Sequence, residues 1–490
     1  MTEVMDVMEG VSPRRQREPR QGILPFVIRH GTGEAVTAHA GLPLVVEAMR
    51  AVRLEEVVEA TLSVAKRQRG FSETEKLEAL LLLVAGGGDR IEDIRILAED
   101  KGLVRLLDRE LPSPDALLDF LGAFDDPQVW EQRPKDETSW VPPESAPLVG
   151  LFEVNRELVA RAADRQTTTA TIDHDGTIIE AHKRDAVVAY EGTRGYQPLV
   201  AVWVEEDLIV ADEFRDGNVP GGKDPLTSVR RAFEALPDWV AKRYFRGDSA
   251  DYYEPLLKYL VQEQITFSIS ADMSPELRAV CVAVPTEHWV ELAAREREVV
   301  HVAEVEFTPG DWPKTAAPLR YVGMRITPLQ HELFAERGPK YLAVVTNRPA
   351  PEEGAARRGD ARSAAELVRW HWEKAGTIEH VHRSLKDELG AGVLPSQRFG
   401  ANAAWFRINA ITYNVLTLLK RRALPERLRL ARPKRLRFEV FNTAARLSVH
   451  QSQLIATLAA SRERTAELVL ARQRLLATRH APGQSPAPTR

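Results

Sequence analysis

Cysteine is nearly absent: the 490 residues contain one, Cys281. No internal disulfide can form, and no zinc site built on several thiolates. Cys281 is read as a small core residue, and this usage suits a reducing cytoplasm. Long apolar runs are missing too. No stretch reaches the roughly eighteen apolar residues of a membrane span, and no secretory leader is legible, so membrane insertion and secretion are not expected. Positive charge is not in excess: 66 Lys and Arg oppose 71 Asp and Glu, for a net charge of −5. A nucleic-acid partner would therefore require the cations to be segregated along the chain. The triplet Gly86-Gly87-Gly88 follows a helical pattern and lacks a trailing Lys-Ser/Thr, so it is no phosphate loop. What is present is an ordinary globular composition, 44% apolar and 28% charged. The chain is long enough for two to four domains.

The most informative stretch is RWHWEKAGTIEHVHRSLKDELG, from Arg369 to Gly390. Ile378, Val381, Leu385 and Leu389 recur at spacings of three and four, which predicts a helix with one apolar stripe. Beside that stripe run Trp372, Ala375, Glu379, His382 or Arg383, and Lys386. Glu379 and Lys386 are seven residues apart, about two turns, so they are expected on one face. Taken alone, the segment is also satisfied by an amphipathic helix with charged flanks.

Two upstream aspartates bear on that choice. In TTTATIDHDGTIIEAHKR, Thr169 to Ala181 is β-rich, and a period of two puts Asp173, Asp175, Thr177 and Ile179 on one face. In WVAKRYFRGDSADYYEPLLKYL, Lys242 to Arg246 reads as a strand with Asp248 at its carboxyl end. Ser249 or Asp251 could cap the helix that follows. Functional groups of open α/β sheets gather at the carboxyl ends of strands. Two strand aspartates and a helix glutamate are hard oxygen ligands of the kind Mg²⁺ takes. Two such ions about 4 Å apart could clamp both oxygens of a phosphodiester displacement.

These motifs resemble the DDE transposases of bacterial insertion sequences, in the group with a β-strand insertion before the glutamate helix. The likeness rests on D-x-T on a first strand, a strand ending in G-D-S, and a later helix with E-x6-K. DGTIIEAHKR, YEGTRGYQPLVAVW, LIVADEFRDGNVP and YLAVVTN add to it, as do the N-terminal phrases GLPLVVEAM, VAGGGDRIEDIRILAEDKGLVRLL and LPSPDALLDFLGAF. Together they cover about residues 35 to 450. The resemblance implies an RNase H-like fold and DNA strand cleavage and transfer, with a hairpin at the element's ends. It implies that Asp175, Asp248 and Glu379 are the catalytic, metal-holding acids, with Asp173 the rival for the first position. It implies two Mg²⁺ ions, with Mn²⁺ as a substitute. Double-stranded DNA, as terminal inverted repeats and target, becomes the expected partner, bound by a homodimer, with a cytoplasmic, nucleoid-associated location and no membrane. The family's helix pattern is Y-x2-R-x3-E-x6-K. Here Trp372 replaces the tyrosine and Ala375 the arginine, with Lys374 next door.

Along the chain, the expected class is an α/β RNase H-like catalytic domain interrupted by a β-rich insertion. An all-α DNA-binding region precedes it and a basic C-terminal tail follows. Residues 1–22, with Arg14, Arg15, Arg17 and Arg20, read as a disordered basic tail. Residues 23–147 hold short helices suited to a helix-turn-helix-like module and then a Pro-rich linker from Asp125 to Pro147. Ser72 and Glu75 fit a capping box. Residues 148–272 supply the first part of the catalytic domain as helix, three strands, helix, strand, helix, strand. Residues 273–340 are the insertion, with strands near His301–Thr308 and Leu319–Ile326. Residues 341–425 complete the domain. Residues 426–490 form the basic region, expected to fray after Arg472. Between 420 and 437 nine cations are opposed only by Glu426.

Expected DNA contacts are Lys386, Trp372, Lys374, Arg383, Trp312, Arg432, Lys434, Arg435 and Arg437. Trp312, in PGDWPK, is read as a turn residue whose ring projects outward, and Trp289 as a core residue. Two other readings stay open: a decayed or domesticated DNA-binding protein, and an RNase H-like nuclease without strand transfer.

Overall fold

The computed structural model describes residues 35–64, 70–183, 186–189, 192–310, 312–313, 317–329, 338–351 and 363–480. The expected basic tail lies outside them. Helix α1 (Pro43–Ala51) and α2 (Glu73–Gly86) belong to the N-terminal region. The capping box of α2 forms as expected: Glu75 N donates to Ser72 Oγ at 3.1 Å and Ser72 N to Glu75 Oε2 at 2.7 Å. Gly87 ends the helix at φ +106°, a left-handed position that suits glycine. Leu77 and every residue from Ala79 to Ala85 are buried, so α2 is enclosed on all sides. One apolar core runs from Leu42 through the sheet to Leu475. The helical region and the sheet therefore share a core.

The Pro-rich segment is pinned, not slack. Trp130 meets Trp140 and Phe399 edge-on. The Glu144 carboxylate joins Arg231 and Arg407. Burial opposes ionisation of Glu144, but the two guanidiniums outweigh it and hold the carboxyl at about 2.

After α3 (Ala146–Ala162) the chain enters the sheet. The strands are β1 (Thr169–Gly176), β2 (Leu199–Trp203), β3 (Leu208–Glu213), β4 (Lys242–Gly247) and β5 (Thr266–Ser270). Helix α4 (Pro225–Glu234) and α5 (Glu254–Gln262) connect β3 to β4 and β4 to β5. β1, β2 and β3 are antiparallel neighbours, whereas β1–β4 and β4–β5 pair in parallel. Helices lie on both faces, which is why β2 and β3 read as continuous buried runs. A register shift between β2 and β3 follows Ala201, and there Asn414 satisfies both the N–H and C=O of Ile209.

The insertion begins with α6 (Pro275–Ala283), a helix not expected, and continues as β6 (Val290–Ala294), β7 (Glu298–Val305) and β8 (Arg320–Pro328). With β9 (Lys340–Thr346) these extend the same sheet, giving one nine-stranded order β6-β7-β8-β9-β5-β4-β1-β2-β3. Periodicity finds strands but not the edge they join, and β9 hydrogen-bonds β5 on one side and β8 on the other.

α7 (Ala364–Arg383) crosses β1, β4, β5 and β7 and runs into a π-helical turn, Ser384–Glu388. Its stripe of Ile378, Val381, Leu385 and Leu389 is buried, as expected. α8 (Phe399–Arg422) is buried almost throughout. The C-terminal segment does not fray at Arg472. α9 (Arg462–His480) buries Leu468, Ala471 and Leu475 and packs on α1, with Arg472 paired to Glu47. Among the described residues no helix is long and apolar enough to cross a membrane.

Candidate active site

Alternation along β1 decides which groups meet α7. Ile172 and His174 point one way. His174 reaches Asp251 through Nδ1 (2.8 Å) and Ser228 of α4 through Nε2 (3.2 Å). Asp173 and Asp175 point the other way, as the period of two predicts. Asp173 lies beside Arg246 in the parallel register. Arg246 Nε donates to Oδ1 at 2.6 Å and Nη2 to Oδ2 at 2.9 Å, and both side chains are buried. Arg246 also holds α7 through the Trp370 carbonyl and Glu373. Asp173 is thus consumed by a fork-on-fork ion pair.

Asp175 is two residues further on, at the open end of β1, and partly exposed. Asp248 follows β4. Its carboxylate accepts from Ala250 N at 2.9 Å and caps the short turn Ser249–Asp251. That turn brings Asp251 under His174, so Asp251 serves the histidine and neither it nor Ser249 caps α5. A Cβ at Gly247 would lie 2.4 Å from Asp251 Oδ2, which explains the glycine before Asp248.

Asp175 and Asp248 feel each other. Burial, and then the charge of Asp175, push the Asp248 carboxyl up, against the pull of Lys374. The buried Lys374 Nζ lies 3.6 Å from Asp175 Oδ2. Asp272, after β5, is also pushed up, by burial and by Asp248. The site therefore holds three acids at strand ends and one buried cation.

His382 completes this inner surface. It is 8% exposed, neither ring nitrogen has a hydrogen-bond partner, and Nε2 is 3.9 Å from Asp175 Oδ2. Burial, then Lys386 and Lys374, push its pKa down to about 3, so the ring is neutral near pH 7.

The other expected residues divide. Glu379 is exposed on α7, roughly 60° round the helix from His382. Among the described residues no three acids, histidines or cysteines are placed to hold a metal ion. Lys386 turns inward, its Nζ donating to the Ile178 carbonyl at 3.1 Å. Lys386 lies inside the π-turn, so regular helical spacing no longer relates its face to that of Glu379. Arg383 is exposed, and Trp372 packs under Arg295, 5.0 Å from its ring centre. Trp312 overturns its expectation. Its ring is buried and Nε1 donates to the Ala317 carbonyl at 3.0 Å. Trp289 is buried as expected.

The basic segment is also corrected. Lys420 pairs with Asp207, Arg421 with Glu206, Arg427 with Glu439 and Glu467, Arg432 with Glu388, and Arg435 with Glu439. The neutralising acids come from outside the window read in the sequence. Yet they lie beneath: the Glu388 and Glu439 side chains are 4% and 12% exposed, those of Arg432 and Arg435 40% and 60%. The outward layer is cationic, and exposed Leu430 and Phe438 stand in it. Arg437 is different. Its guanidinium is turned inward onto the carbonyls of Val84, Ala85 and Glu388, closing the end of α2.

Sequence reasoning missed His382, Asp272 and the pairing of Asp173. The position of Asp272 just past a predicted strand was a usable signal. Burial of His382 was not legible, since it depends on which flank of α7 the sheet covers.

The family model for the transposase DDE domain group 1 matches residues 26–480. No curated protein matches the chain. Among solved structures, the chain is similar to a piggyBac transposase in a synaptic complex with hairpin DNA, determined by cryo-EM. The identity is 12% and the TM-score 0.41, over 77% of this chain and 73% of that one.

Proposed function

The chain belongs to the DDE transposase family, and from that premise we propose that it binds the ends of an insertion sequence and cuts and rejoins them. The observation that carries the reading is the meeting of Asp175 and Asp248 at the carboxyl ends of adjacent parallel strands. The order of β3, β2, β1, β4 and β5, three antiparallel and two parallel strands, supports an RNase H-like reading of that part of the sheet.

Carboxylates at two neighbouring strand ends and an imidazole without a partner are donors a divalent ion takes, although the described residues hold no preformed cluster of three. When bound, two Mg²⁺ ions, or Mn²⁺ in their place, would neutralise the phosphate and lower the pKa of the attacking hydroxyl. Asp175 and Asp248 would hold them. Glu379, exposed on α7, would turn toward the pair from the helix side once DNA is present. Lys374 counters the charge of Asp175, and Lys386, bonded here to the Ile178 carbonyl, would release it to meet a phosphate. Trp372 and Arg383, on the flanks of α7, would contact the DNA further out. In this reading water attacks first and the freed 3′-hydroxyl then attacks the other strand or target DNA, with a hairpin at the element end.

The cationic layer of Arg432, Lys434 and Arg435 would take backbone phosphates of the terminal repeats, and two copies of the chain would pair the two ends. The exposure of Glu379 and the alanine at 375 favour a second reading, a copy that binds DNA but no longer cuts it. A Mg²⁺-dependent nicking assay on a duplex carrying the repeats that flank the gene separates the two. A strand-transfer assay then separates a transposase from a plain nuclease.

A further inference from the structure

Among the described residues three histidines are buried, and all lie near the crossing of α7 with the sheet. Two have partners on both nitrogens. His174 meets Asp251 and Ser228, and His371 meets Ser268 and Ser270. They are core histidines with their polar atoms satisfied. His382 has no partner on either nitrogen. Leaving a buried polar group unpaired destabilises the folded state. The side chain is aimed at Asp175, with Nε2 3.9 Å from Oδ2. That is too long for a hydrogen bond. It is within the span of two donors on one ion, which with bonds of about 2.1 Å lie at most ~4.2 Å apart.

The sequence offers a second relation. Glu379 and His382 are three apart on one helix. Carboxylate and imidazole at that spacing project to the same side and can serve one metal centre. We propose that His382 is a nitrogen ligand of the divalent ion held at Asp175, alongside the carboxylates. The inference rests on the metal-dependent reading above. It makes the site softer than an all-oxygen one, since imidazole favours ions later in the first transition series over Mg²⁺.

The test uses the full chain, Mn²⁺ as probe, and pulsed EPR. The wild type should show modulation from a directly bound imidazole nitrogen. His382→Gln should remove that signal and weaken Mn²⁺ binding at least roughly tenfold, with Mg²⁺ binding falling less. His174→Gln should keep the signal, because both nitrogens of His174 are engaged elsewhere. Mn²⁺ that binds in an Asp175-dependent way without nitrogen modulation overturns the proposal and leaves the acid site standing. Modulation that survives His382→Gln also overturns it. No Asp175-dependent Mn²⁺ binding at all overturns both the proposal and the metal reading beneath it. The wild-type spectrum decides even if a variant folds poorly.

Discussion

Arg246 closes off Asp173. Two hydrogen bonds of 2.6 and 2.9 Å join the guanidinium to both carboxylate oxygens, inside the sheet. Asp175, two residues along the same face, keeps its outer oxygen for other partners. The two aspartates should therefore fail in different ways. Asp173→Ala strips a buried arginine of its two-point partner, leaving it only the exposed Glu373 and the Trp370 carbonyl, and should cost up to about 3–5 kcal/mol of stability. Asp175→Ala should leave the melting temperature near the wild type and abolish nicking. Chemical denaturation and a nicking gel on the same preparations check this. An active enzyme carrying Asp175→Ala would return the first-acid role to Asp173.

Glu144 predicts an acid limb of stability. Its carboxyl is held at about 2, below an ordinary glutamate, so the folded state releases the proton more readily than the unfolded one. The contribution is present above pH ~4.3 and is lost as pH falls toward 2. It amounts to roughly 3 kcal/mol at neutral pH. Glu144→Gln should lower stability at pH 7 and flatten its fall between pH ~4.3 and ~2, measured by urea unfolding across pH. An unchanged slope would mean that Arg231 and Arg407 find no net benefit in that carboxylate.

How far the sequence reaches is visible at these same residues. The period of two in β1 and the apolar stripe of α7 were legible because they are local and face a core. So were Asp175 and Asp248, as strand-end acids. The Asp173–Arg246 pair was not, since it needs the register between two strands 73 residues apart. The inward position of Lys374 and His382 depends on how α7 lies across the sheet, and the turn of Lys386 on a π-helical turn that no spacing rule announces. The cations near 430 looked unopposed because Glu388, Glu439 and Glu467 come from elsewhere in the chain.

For the basic segment, charge and burial now give opposite predictions. Neutralising Arg432, Lys434 and Arg435 together should lessen the salt dependence of DNA binding by up to about 2.7 in log–log slope. Sequence preference should not change. Arg437→Ala should instead destabilise the protein, since its guanidinium satisfies three buried carbonyls. Binding titrations over a salt series, with thermal melts alongside, separate the two. An unaltered slope in the triple variant would make that surface merely solvated.

Trp312 is a packing residue in this structure, with its indole N–H bonded to Ala317. Trp312→Ala should cost about 3–5 kcal/mol. It should reduce nicked and hairpinned DNA ends in equal measure. A gel resolving the two products checks this. Selective loss of hairpins, with stability intact, would give the ring a direct role in DNA.

The central claim is that Asp175, Asp248 and Glu379 act as one metal-dependent unit. The most direct measurement is Mg²⁺-dependent nicking of a duplex bearing the flanking repeats, by the wild type and by Asp175→Ala, Asp248→Ala and Glu379→Ala. DNA binding is followed in the same samples. The account predicts that each variant binds the ends and none cuts. Cutting that persists in any one of the three, or a wild type that binds but never cuts with Mg²⁺ or Mn²⁺, would contradict it.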